Sequence, residues 1–105
     1  MLRVVERVLG EGEVTREGVS LGRVAYELTL YREWVASANG LVPEGYEIDG
    51  HFMASPEQLD AWTGTRAPLT LHLDDGRLAD VYLVNLEGVV TPADARGFYA
   101  AGGTS

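Results

Sequence analysis

A mainly β chain that closes into a small antiparallel barrel of five to six strands, with one short helix, is the fold class this sequence predicts. Three observations predict it. Apolar and polar residues alternate along most of the chain, turn residues recur between the alternating runs, and only one segment carries a full set of helix start signals. With 105 residues, 46% of them hydrophobic, the chain can fill one modest core but not two, so 1–105 reads as a single domain.

The elements follow in order. "VVERVLGEGEVT" suits a first strand, with Gly10 and Gly12 read as a bulge that lets it bend. Residues 2–9 also fit a helical face through Val4, Val5, Val8 and Leu9. Gly10-Glu11-Gly12 leads into a strand pattern rather than a helix, which excludes a dinucleotide phosphate cradle. Arg16-Glu17-Gly18 turns the chain into its longest run, where Val24, Tyr26, Leu28 and Leu30 share one face and Ala25, Glu27, Thr29, Tyr31 and Glu33 the other. "ANGLVPEG" (38–45) is dense in breakers and reads as a loop. In the third strand, Tyr46, Ile48 and Phe52 alternate with Glu47, Asp49, His51 and Met53, and Gly50 takes an inward position.

"SPEQLDAWTG" is the helix: Ser55 at the N-cap, Pro56 at the first position, Gln58 three after the cap, Gly64 past the end, and Leu59 and Trp62 on its apolar side. Leu69, Leu71 and Leu73 point inward from a fourth strand, and Asp74-Asp75-Gly76-Arg77 is a hairpin turn. The fifth strand is apolar on both sides, Leu78, Tyr82, Val84 and Leu86 against Ala79, Val81 and Leu83. Glu87-Gly88 turns into "VVT", Thr91-Pro92-Ala93-Asp94 starts a helical turn, and 98–105 fray. This β-β-β-α-β-β order resembles that of the oligonucleotide/oligosaccharide-binding (OB) fold. An SH3-like roll is the alternative.

Charge excludes several functions. Sixteen acids against eight bases, all arginine, give a formal net of −8. Such a field repels phosphate backbones and anionic lipid surfaces, and the arginines are too scattered to form a basic stripe. The outward face of strands two and three carries Glu27, Glu33, Glu47 and Asp49, whereas single-strand nucleic-acid binders need bases stacked among cations there. Cysteine is absent, which rules out disulfides, thiolate metal sites and a thiol nucleophile. No apolar run reaches membrane-spanning length, and the acids near the N-terminus do not suit a secretory signal, so the expected compartment is the cytoplasm.

Candidate chemistry is sparse. Asp49 and His51 on strand three, with His72 and Asp74 on strand four, are the weak metal-ligand candidates, because a spacing of two puts each pair on one strand face. Trp62, Tyr26 and Tyr46 could line a ligand pocket, although such spacing also suits a core. No nucleophile elbow is present, and Ser55 is explained as a cap. The expectation is a non-catalytic barrel without cofactor that acts by protein association, with itself or with a partner of basic surface. Leu78, Val81, Leu83, Val84 and Leu86 would be its contact strand, and the acidic face would select the partner. A ligand- or metal-binding barrel is the alternative, and an OB-type single-strand binder a lesser one.

Overall fold

The computed structural model describes residues 1–63 and 67–100. These form β1 (Leu2–Arg16), β2 (Val19–Ser37), β3 (Gly40–Met53), α1 (Pro56–Trp62), β4 (Leu69–His72), β5 (Arg77–Leu83), β6 (Val90–Pro92) and β7 (Tyr99–Ala100). All strand pairings are antiparallel, in the order β3-β2-β1-β4-β5-β6, with β7 added beside β5. The two ends of this order meet: His51 bridges Val89, and the Phe52 amide donates to the Gly88 carbonyl at 2.8 Å. Six strands therefore make a nearly closed barrel in the predicted OB-like order.

Alternation placed the core correctly. Val24, Tyr26, Leu28 and Leu30 face Ile48, Phe52, Leu69, Leu71, Leu73, Ala79, Val81 and Leu83 inside the barrel, and Glu27 and Glu47 are exposed outside it. Each large aliphatic or aromatic side chain removed from water here contributes roughly 1.5–3 kcal/mol. The helix closes one end by sending Leu59 and Trp62 into the same cluster. Its start is the expected capping box, with the Ser55 hydroxyl accepting from the Gln58 amide and the Gln58 side chain accepting from the Ser55 amide, both at 3.2 Å. Gly64, expected to end the helix, lies outside the described residues.

The sheet bends where sequence reading did not place the bends. A straight 19-residue strand would run about 60 Å, beyond the 49 Å long axis of the molecule, so β2 must coil. Register shifts fall between Val4 and Glu6, Val14 and Thr15, and Arg32 and Trp34. Gly10 and Gly12, expected as a bulge, instead stay in register opposite Tyr26 and Val24. Their role is close approach: a Cβ on Gly12 would lie 1.9 Å from the His72 carbonyl oxygen, where β4 docks on β1. Gly50, at φ +142 opposite Leu28, lets β3 coil; a Cβ there would meet the Glu27 carbonyl at 2.1 Å.

Three further expectations are corrected. Residues 2–9 are strand, not helix, because β1 pairs with β2 along its whole length. The expected loop at 38–45 is mostly β3: the turn is only Ala38-Asn39, and Trp34 pairs with Pro43. Proline is tolerated there because β3 ends the strand order and its outer side carries no ladder at that point. No helical turn forms at Thr91–Asp94; β6 occupies 90–92 and the Ala93 amide donates to the Asp80 carbonyl at 2.9 Å.

The tail is also ordered further than expected. Phe98 packs on the core with the Arg77 guanidinium 5.3 Å from its ring centre, and Tyr99 donates to Asp80 at 2.8 Å. Residues 101–105, expected to fray, lie outside the described residues. No helix among the described residues is long and apolar enough to cross a membrane.

Candidate functional site

The outer face of β1, β2 and β3 is built from rows fixed by register. Leu9, Glu27 and His51 form one row, Arg7, Thr29 and Asp49 the next, and Val4, Tyr31 and Glu47 a third. Beyond them the N-terminal ammonium donates to Glu33 at 3.0 Å and to the Trp34 carbonyl at 2.8 Å, tying down the start of β1. The four carboxylates predicted for this face are on it. Glu27, Glu47 and Asp49 are exposed and make no ion pair within 4.0 Å among the described residues.

Next to this face the barrel seam opens into a cleft of about 500 Å³. Between the clamp at Phe52 and the Tyr46 amide, which donates to Ala95 at 3.0 Å, β3 and the β6 strand stand apart. Buried Ile48 and Val90 form the floor; Leu2 and Val84, 50% and 56% exposed, form apolar walls; Glu47 and Asp49 stand at the rim. The volume lies within the range of ligand pockets. Leu2 and Val84 give it apolar walls, Tyr31 and Thr91 also line it, and its rim is anionic.

The predicted contact strand needs correction. Val81 and Leu83 are core residues with Ala79, so they cannot meet a partner, and Leu78 is half-buried beside Tyr99 of β7. Only Val84 and Leu86 are exposed, past the end of β5. The two-sided apolar run arose because β5 is flanked on both edges while its outer side chains are partly covered.

The metal-ligand candidates are not assembled into one donor set. His51 pairs with Glu27 on β2, whereas His72 pairs with Glu13 on β1 and lies 3.2 Å from the Thr15 hydroxyl. Through the register, the histidines stand three strands and four residues apart, about 14 Å across and about 13 Å along the sheet surface. Asp74 sits at a turn, where its backbone amide donates to the buried Tyr26 hydroxyl at 3.1 Å. No group of three potential metal ligands exists among the described residues. Of the predicted pocket lining, Tyr26 and Trp62 are core, and Tyr46 stacks under Arg32 at 4.4 Å.

The strongest electrostatic cluster is elsewhere and structural. Arg77 donates to Glu6 at 2.5 and 3.0 Å and to Asp75 at 2.9 Å, linking β1 to the β4–β5 turn. Hydrogen bonds from Arg77 hold the carboxyls of Glu6 and Asp75 below the usual range. Burial pushes the Tyr26 hydroxyl up, as it does that of Tyr99.

Leu2, Val89 and Pro92 were missed as site residues. The sequence did carry one signal for the first: the Val4-Val5 doublet breaks alternation, which marks the bulge that sends Leu2 and Val4 to the outer face. Val89 and Pro92 reach the cleft only through seam closure, a contact between distant segments.

Fold and site together define a small antiparallel barrel with an acidic, partly apolar outer face. No family model, curated protein or solved structure matches the chain.

Proposed function

We propose that this barrel is a non-catalytic association module that binds a protein partner of basic surface through the outer face of β1, β2 and β3. The observation that carries this reading is the outer face itself: Glu27, Glu47 and Asp49 without ion pairs among the described residues, beside the exposed Leu2, Leu9, Met53 and Val84. Anionic groups steer and select a cationic partner, while adjoining apolar groups supply the area-dependent attraction. Repulsion between copies of net charge −8 favours a different chain over a second copy as the partner. The same sign of charge weighs against nucleic acid, despite the habits of OB-like barrels.

The test is site-directed photo-crosslinking in cells, with the reactive residue at Thr29 in the middle of the face or, as control, at Asp75. A discrete crosslinked protein at position 29 alone, lost when Glu27, Glu33, Glu47 and Asp49 are all changed to their amides, is the expected result. Equal crosslinking at both positions, or indifference to the neutralised face, would remove this reading.

A further inference from the structure

The seam cleft gives this surface a specific recognition element. Resting on the association reading above, we infer that the cleft between β3 and β6 is the docking groove for a partner segment in which an aliphatic side chain is flanked by arginine or lysine. The argument is complementarity. Ile48 and Val90 make an apolar floor, and Leu2 and Val84 stay half-exposed as walls although each could gain by being covered. An aliphatic side chain entering there would cover both walls. Glu47 and Asp49, two residues apart on β3 and both exposed, stand at the rim with no ion pair among the described residues. An occupant with cations on either side of its aliphatic anchor would place each cation against a carboxylate, whereas an acidic segment would be repelled.

The groove is bounded so that it selects by shape as well. Its ends are shut by the Phe52–Gly88 and Tyr46–Ala95 backbone bonds, so only a short stretch of chain fits between them. Pro92, in the wall opposite β3, has no amide hydrogen to offer an occupant.

The experiment is fluorescence anisotropy with the full chain and three short fluorescein-labelled peptides: one alternating arginine with isoleucine, one with glutamate replacing arginine, and one with serine replacing isoleucine. The arginine–isoleucine peptide is expected to bind about tenfold or more tightly than either control. Leu2→Ser and Val84→Ser, both at exposed positions and checked by unchanged melting temperature, should weaken it about fivefold to tenfold, and Glu57→Gln, on α1 away from the cleft, should not. Equal binding of the serine peptide, equal binding of the glutamate peptide, indifference to Leu2→Ser and Val84→Ser, or no binding at all would each overturn the inference. A face-specific crosslink at Thr29 that survives any of these outcomes would leave the broader association reading standing, and its loss as well would remove both.

Discussion

Tyr26 shows how much a single inward position carries. Its ring is fully buried and its hydroxyl is the acceptor for the Asp74 amide, so it joins the core to the β4–β5 turn. Tyr26→Phe should cost about 1 kcal/mol in chemical denaturation, the usual worth of a buried hydrogen bond. β4 gives a sharper contrast: Leu71 is buried and His72 points outward. Leu71→Ala should lose about 2–5 kcal/mol and His72→Ala less than about 1 kcal/mol. Equal losses would mean that the faces are reversed. These residues were legible in the sequence because a period of two sorts a strand into faces without any knowledge of its neighbours. Val81 and Leu83 were misassigned as contact residues for the same reason: on an apolar run, periodicity names the faces but not which one is covered.

Ionisation is a residue-scale effect with a definite sign. Glu6 and Asp75 titrate below their ordinary range because Arg77 hydrogen-bonds their charged forms. A depressed folded pKa stabilises the fold above the unfolded value, and that contribution disappears as pH falls through the folded one. The protein should therefore lose stability from about pH 4 downward. Arg77→Gln should lower stability near neutrality and flatten this acid limb, as read by melting temperature against pH.

Among elements, α1 was the easiest to foresee and the loop at 38–45 the hardest. The helix announces itself through local chemistry, Ser55, Pro56 and Gln58, and Ser55→Ala should cost about 1 kcal/mol by removing the cap. The β2–β3 hairpin depends on pairing. Gly40 and Pro43 look like loop residues, yet Gly40 merely ends the turn and Pro43 sits at an unladdered edge. The glycines of β1 tell a similar story: their spacing is visible, but the carbonyl of His72 that explains Gly12 comes from a strand far along the chain. Gly12→Ala should push β4 from β1 and destabilise the barrel by several kcal/mol. A change below about 1 kcal/mol would show that β4 docks less closely than the register implies.

At the scale of the molecule, the separation of charge from core has a consequence for function. The barrel is closed by its apolar inner face, and its acids stand outside, with Glu47 and Asp49 beside the seam where Leu2 and Val84 remain exposed. Overall architecture was legible because strand order and helix position follow from local signals. The cleft was not, because it forms where β3 meets β6 and belongs to neither segment alone. Salt should weaken any partner that uses this face, since exposed carboxylates are screened within about 10 Å at 0.1 M ionic strength.

The most direct measurement of the association account is an amide-shift titration by nuclear magnetic resonance of the full chain with the arginine–isoleucine peptide. Shifts confined to residues 2, 31, 47–49, 84 and 89–91, with the rest of the barrel unchanged, are the result the account predicts. Shifts scattered evenly over the molecule, or none at saturating peptide, would contradict it.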